Sequence, residues 1–301
     1  SVGEGNHNLY GASQTGVSDI FDFGATIFDS LDLVEGFDTG SDLRLGTTDL
    51  YGPDGDQLYA TLDGLSGAAG QLRIHGVETV SFTLKGVNTI DATDMDGIYT
   101  VFLSEGAGAG AFTLSNLDAV GTDVVGSGLS AAVEMNVLGG AGNDSLRGGG
   151  ADDQLAGGAG ADFLDGGAGG DLLVGGAGFD TADYSAAAGP ITITIGDGTA
   201  PANDDGGGGV DVLVAIEKLV GGIGDDHLNA LFSDSTFDAN WLGYSNQGTG
   251  AVLPIGDQSY VLVGGAGSDT LKGDATQQAL IGMASDLITT QSIVVTYHGF
   301  I

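Results

Sequence analysis

Between Gly139 and Asp183 the chain repeats every nine residues: GGAGNDSLR, GGGADDQLA, GGAGADFLD, GGAGGDLLV, GGAGFDTAD. Aspartate holds the sixth place five times running, at Asp144, Asp153, Asp162, Asp171 and Asp180. The eighth place is Leu146, Leu155, Leu164, Leu173 and then Ala182. The unit returns as GGIGDDHLN at 221–229 and GGAGSDTLK at 264–272, with Asp226 and Asp269 in the sixth place. A period of nine suits neither a helix nor a long strand. It suits a solenoid in which each unit is a tight turn plus a very short strand. Glycine permits positive φ, so six residues can form a sharp loop with carbonyls turned inward. The next three form a strand whose middle side chain faces the core, which accounts for one leucine per unit.

If two units make one coil, loops n and n+2 stack about 4.8 Å apart. The stacked pairs are then Asp144 with Asp162, Asp153 with Asp171, and Asp162 with Asp180, so that Asp162 alone is shared by two pairs. Two carboxylates about 5 Å apart repel by about 3 kcal/mol at an effective dielectric of about 20. A hard cation between the loops, held by carboxylate and carbonyl oxygens, removes that opposition, and such an oxygen cage suits calcium.

The rest of the composition sharpens this need. The chain carries 41 acidic residues against 6 lysines and arginines, for a formal net charge of -35. Salt bridges cannot neutralise so many carboxylates, so water, salt or bound cations must. DNA, RNA and anionic membrane surfaces are poor partners for such a field. The 58 glycines follow no Gly-X-Y period, which excludes collagen. With no cysteine, disulfides and thiolate metal sites are excluded. No apolar run is long enough to predict a transmembrane segment.

GGAGNDSL, GGAGADFL and GGAGGDLL resemble the GGxGxDxUx nonapeptide of the RTX (repeats-in-toxin) family. The resemblance implies an all-β chain: a calcium-binding parallel β-roll or β-helix solenoid with irregular β flanks and a C-terminal cap. It implies calcium as the cofactor, and export by a type I system to the outside or the surface of a Gram-negative bacterium. It also implies a chain largely unfolded at low cytoplasmic calcium.

The candidate ligands are the first, third, fifth and sixth residues of each loop. They are Gly139, Ala141, Asn143 and Asp144; Gly148, Gly150, Asp152 and Asp153; Gly157, Ala159, Ala161 and Asp162; Gly166, Ala168, Gly170 and Asp171; and Gly175, Ala177, Phe179 and Asp180. Gly221, Ile223, Asp225 and Asp226, with Gly264, Ala266, Ser268 and Asp269, complete the set. The second unit departs from the pattern, with Ala151 where glycine belongs. A non-glycine residue at a left-handed position costs about 1–2 kcal/mol, so the Asp153 loop is expected to be the weakest of the run.

Six regions are expected. Residues 1–60 hold a decayed repeat (VGEGNHNLY, with His7 in the aspartate place) and a segment resembling one that closes RTX blocks. That placement suggests that repeats precede Ser1 and that the chain is the C-terminal part of a longer protein. Residues 61–136 alternate in short apolar runs such as VSFTL and read as β-helix or sandwich. GVETVSFTLKGVNTIDAT (76–93) resembles strand units of RTX-type surface-layer proteins. Residues 137–185 are the main block, 186–217 a β insert, and 218–274 a second block. Residues 275–301 are a cap, with the one expected helix at 276–288, and the resemblance implies a secretion signal there.

DATDMDG (91–97) has Ala92 where the first ligand of an EF-hand loop belongs, so a solvated loop is expected there. DTGSD (38–42) and PANDDGGGG (201–209) are read the same way. Trp241 and Tyr244 are read as core or cap aromatics rather than a sugar-binding platform. No HExxH, GxSxG or GK[ST] motif is present. The expected function is therefore a non-catalytic extracellular structural protein, a surface-layer, matrix or adhesin component that self-associates in calcium. Its partners are copies of itself and a cell-surface polysaccharide. The alternative is the C-terminal folding and secretion module of a type I secreted enzyme such as a protease, lipase or polysaccharide-modifying enzyme.

Overall fold

The computed structural model describes residues 7–10, 31–34, 43–46, 57–63, 72–75, 79–96, 98–117, 121–195, 203–204, 209–230, 260–264, 266–273, 278–282, 287–289 and 294–297. Among them every regular element but a 3-10 turn at Ala92–Asp94 is a β-strand. Residues 38–42, the aromatic pair Trp241 and Tyr244, and most of 201–209 lie outside the described residues.

The strands wind into a parallel solenoid with two principal columns. In one, the leading halves of Thr79–Asp91 and Thr100–Ser115 are followed by Asp123–Val125, Ser145–Arg147, Phe163–Asp165, Thr181–Asp183, Lys218–Val220 and Tyr260–Val263. Each pairs in parallel with the one before. In the other, the trailing halves of the same two long strands are followed by Met135–Ala141, Gln154–Gly160, Leu172–Gly178 and Val210–Val214, again all parallel. This is the winding of a β-helix, and it runs without a break from residue 79 into the glycine-rich block. Upstream, Gln57–Asp63 continues the ladder backwards.

Coil length falls between residues 79 and 183. Val80 pairs with Val101, Val101 with Val124, and Val124 with Leu146, at intervals of 21 to 23 residues. From Leu146 to Leu164 to Ala182 the interval is 18, two nonapeptides per coil. The core follows the same columns: Leu146, Leu164, Ala182, Leu219 and Leu262 stack in one, and Val137, Leu155 and Leu173 in the other, all fully buried. One inward leucine per nine residues is thus enough to fill the narrow roll.

Thr192–Ile195 starts a third parallel column with His227–Ala230, Thr270–Gly273 and Leu287–Thr289. Asn203–Asp204 joins it antiparallel to Val210–Val214. The helix expected at 276–288 does not form. Gln278–Gly282 is a strand paired in parallel with Tyr260–Val263, and Leu287–Thr289 is another. The helix-forming residues Gln277, Gln278, Ala279 and Leu280 express a weak preference, and an open ladder offering unpaired N–H and C=O groups overrides it.

Candidate calcium-binding ladders

The first residue of each loop is glycine because the sixth needs its space. A Cβ on Gly139, Gly148, Gly157, Gly166, Gly175, Gly221 or Gly264 would collide with the carboxylate of Asp144, Asp153, Asp162, Asp171, Asp180, Asp226 or Asp269 respectively. Each carboxylate therefore folds back under its own loop and is removed from water. All seven aspartates are at most 2% exposed.

One carboxylate oxygen of each aspartate then reaches across to the previous coil. On the odd-numbered units, Asp144 Oδ1 accepts from the Thr122 amide at 2.7 Å, Asp162 Oδ1 from Asp144 N at 2.8 Å, and Asp180 Oδ1 from Asp162 N at 2.8 Å. On the even-numbered units, Asp153 Oδ1 accepts from Met135 N and Asp171 Oδ1 from Asp153 N, both at 2.8 Å. In the second block Asp226 Oδ1 accepts from Ile191 N at 3.0 Å, and Asp269 Oδ1 from Asp226 N at 2.9 Å. The n/n+2 stacking of aspartates is what the geometry contains.

The ladders run further than the repeat pattern suggests. Glu217 Oε2 accepts from Asp180 N, and Asp211 Oδ1 from Asp171 N, both at 2.8 Å. Asp162 is therefore not the one doubly flanked member: Asp171 and Asp180 also have a carboxylate on each side. Glu217 and Asp211 were missed as site residues. Asp211 had a legible signal, since 206–214 reads GGGGVDVLV, the nonapeptide pattern itself, out of phase with the main run. The segment read as an insert has rejoined the coil by Val210. Glu217 had no such signal.

The second carboxylate oxygens differ in their partners. Asp153 Oδ2 accepts from Gly149 N at 2.7 Å and Asp226 Oδ2 from Gly222 N at 2.8 Å. Asp211 Oδ2 accepts from the Tyr184 hydroxyl at 2.9 Å. Oδ2 of Asp162 and Oδ2 of Asp180 are buried with no hydrogen-bond partner. A buried carboxylate oxygen in that position costs several kcal/mol unless something positive meets it.

Backbone oxygens converge on the same place. The carbonyl of Gly157 lies with Asp144 Oδ2 against Gly139, that of Gly166 with Asp153 Oδ2 against Gly148, and that of Gly264 with Asp226 Oδ2 against Gly221. Each cradle thus combines a carboxylate from one coil with a first-place carbonyl from the next. Among the described residues no three His, Cys, Asp or Glu side chains gather as a metal cluster. An all-oxygen set completed by backbone carbonyls fits calcium and does not fit the transition metals, which favour nitrogen and sulfur.

The remaining candidate positions support the loops. Asn143 Oδ1, Asp152 Oδ1 and Asp225 Oδ1 accept from the amides of Ala161, Gly170 and Ser268 at 2.8, 2.8 and 2.9 Å, so fifth-place side chains lock adjacent coils. Phe179 in the same place is exposed, as is Ile223 in the third. Ala141, Ala159 and Ala177 stay in strand register, and the Ala159 carbonyl accepts from Gly142 N at 2.7 Å. Ala168 and Ala266 donate to Gly149 O and Gly222 O at 2.9 Å, one coil away in each case. Gly150 and Ala151 turn the second loop. Ala151 is not in the left-handed region, where Asn116 and Ala215 are the non-glycine residues among those described. The penalty expected at Ala151 is therefore absent, and the Asp153 carboxylate is as well held as its neighbours.

Burial dominates the acid–base behaviour. It pushes Asp153 up to about 6, against the lowering effect of the Gly149 and Met135 amides. It pushes Asp180 up to about 7, with the Asp162 charge adding to the rise, and Glu217 up to about 7, with the Asp180 charge adding. Asp162 and Asp226 are raised by burial as well. Arg147 bonds Asp123 at 2.7 Å and lies over the Phe163 ring, so its charge serves the outer face. Outside the ladders, Asp91 Oδ1 accepts from Thr93 N and Asn116 Nδ2 and caps the 3-10 turn, as a loop aspartate does.

The family model described as RTX calcium-binding nonapeptide repeat (4 copies) matches residues 136–164, 148–182 and 261–276. No curated protein and no solved structure matches the chain.

Proposed function

We propose that this chain, an RTX-repeat protein whose nonapeptide loops bind calcium, is a secreted structural component of a bacterial surface or matrix. In this reading it folds where calcium is plentiful and then associates with copies of itself. The observation that carries it is the buried ladder, in which Asp162 Oδ2 and Asp180 Oδ2 have no protein donor. A chain built this way opposes its own folding until positive charge arrives. That behaviour suits export in an unfolded state, with type I secretion as the route, followed by folding outside.

Calcium held in the cradles would supply positive charge and take up the oxygen ligands. The chain does the rest. First-place glycines clear space for the carboxylates, Oδ1 atoms tie each coil to the one before, and the leucine column closes the core. Self-association is supported by the acid excess: the seven repeat aspartates, with Asp211 and Glu217, are a small part of 41 acids, and exposed acids such as Glu105 and Glu134 can bridge through cations between copies. No described helix is long and apolar enough to cross a membrane.

The test is a calcium titration followed by circular dichroism, light scattering and negative-stain microscopy. The expected result is a β signal in chelator that lacks the contribution of the roll, a rise in β structure with calcium, then ordered assemblies, with magnesium ineffective because it is small and firmly hydrated. A full β signal in chelator would sink the reading. A chain that folds in calcium and stays monomeric at high concentration would favour the secretion module of an enzyme instead.

A further inference from the structure

The odd-numbered ladder ends in an unusual loop. Val174 pairs with Val214 and Thr181 with Lys218, so Ala215–Glu217 covers in three residues the turn that Gly175–Asp180 makes in six. Ala215 takes the bend at φ 51°, a left-handed conformation that alanine seldom adopts. Its carbonyl is thereby brought against Gly175, where a Cβ would meet both Ala215 O and, at 2.6 Å, Asp180 Oδ2. This is the pairing of carboxylate and next-coil carbonyl seen at Gly139, Gly148 and Gly221. Asp180 is fully buried, and its Oδ2 has no partner. Glu217, 5% exposed, accepts from Asp180 N as an aspartate does in a full-length loop. Glutamate, one methylene longer than aspartate, makes that bond from a loop three residues shorter.

We propose that Gly175–Asp180 and Ala215–Glu217 together form a calcium site in which Glu217 supplies the second carboxylate and Ala215 a carbonyl oxygen, from outside the nonapeptide repeats. The other ladder ends differently. There the Tyr184 hydroxyl already donates to Asp211 Oδ2, so a proton stands where the next coil's cation would. The roll therefore closes one ladder on a cation and the other on a phenol.

The proposal rests on the calcium reading of the loops, and the experiment separates the two. Calcium ions bound per chain are counted by native mass spectrometry for the wild-type chain, Glu217→Gln and Glu217→Asp. Glutamine keeps the length and the bond to Asp180 N but loses the charge; aspartate keeps the charge but falls short. Each variant is expected to bind one ion fewer than wild type. Hydrogen exchange on the wild-type chain needs no variant: 210–220 should gain protection at the same calcium concentration as 175–182. Ion counts unchanged in Glu217→Gln, or protection of 210–220 that ignores calcium, would overturn the site. A wild-type chain that takes up no calcium at all would instead overturn the reading of the repeats.

Discussion

Residues 79–137 and 139–183 belong to one continuous winding, yet opposite chemistries hold them. The first stretch buries Val80, Phe82, Leu84, Ile90, Val101, Phe112, Leu114, Val124, Met135 and Val137, and among its described residues no carboxylate is buried. The second buries four leucines and three alanines (Leu146, Leu155, Leu164 and Leu173; Ala151, Ala156 and Ala182) with five aspartates. A buried leucine or phenylalanine stabilises by about 1.5–3 kcal/mol. A buried, uncompensated charge costs about as much as one or two of them. The wide coils can therefore stand on their own core, whereas the narrow roll cannot until its carboxylates are neutralised. One backbone geometry serves as a permanent element in one place and a conditional one in the next.

The largest effect should come from removing calcium. Five cradles at about 1.4 kcal/mol each, for ligand near ten times Kd, sum to about 7 kcal/mol. That is a factor of about 10⁵ in amide protection where opening is local. Hydrogen exchange in chelator should thus strip protection from 145–182 and leave 80–114 largely protected. Equal loss in both stretches would show that they open as one unit and that the contrast does not divide the molecule.

Removing single carboxylates should be the next largest perturbation. Asp162 has a cradle of its own and also supports that of Asp144. Asp162→Ala should therefore lose two calcium ions by calorimetry, and Asp144→Ala one. The structure moves Asp180 from the end of its ladder to the interior, so Asp180→Ala should resemble Asp162→Ala rather than Asp144→Ala. Equal losses in all three would break the paired-coil account.

Acidity should act in opposite directions with and without calcium. In the folded chain Asp153 titrates at about 6, and Asp180 and Glu217 at about 7, against ordinary values of 3.8 and 4.5. The folded state keeps protons that the unfolded chain has released, so stability falls as pH rises across that window. The contribution is complete below about pH 4 and lost by about pH 7. In chelator, acidification from pH 8 to 5 should raise the β signal of the roll, and Glu217→Gln should flatten the part nearest pH 7. In calcium, protons compete with the cation, so the calcium midpoint should rise in acid. A chelated chain whose β signal is flat or falls on acidification would contradict this.

The leucine columns and aspartate stacks were legible because a strict nine-residue period forces like residues onto like positions. Parallel stacking follows from that; the period allows either one or two units per coil, and the pairing of Leu146 with Leu164 makes it two. Glu217 was illegible because its loop is three residues shorter than a repeat loop and carries glutamate where the repeat has aspartate. Asp211 was half legible: its unit is intact, but 22 residues separate it from the main run. The bond from Tyr184 to Asp211 depends on that jump in register, which no local pattern announces. The strand at Gln278–Gly282 was misread because helix propensity speaks locally, while the edge it pairs with lies a coil away.

The smallest effect separates the sequence reading of the second unit from its structure. Read as a nonapeptide, GGGADD puts Ala151 where glycine is left-handed, so Ala151→Gly should stabilise by about 1–2 kcal/mol. In the folded chain Ala151 does not take that conformation. Glycine there relieves nothing and adds freedom to the unfolded chain, which costs about 0.4–1 kcal/mol. The sign of the change therefore decides. Melting in saturating calcium should place Ala151→Gly slightly below wild type. The companion substitution goes the other way in size: Gly169 sits at φ 124°, and a Cβ on it would strike the Ala151 carbonyl. Gly169→Ala should thus lower the melting temperature far more than Ala151→Gly, although both lie in loops of the same ladder. A stabilised Ala151→Gly would mean that the second loop is strained like a regular unit after all.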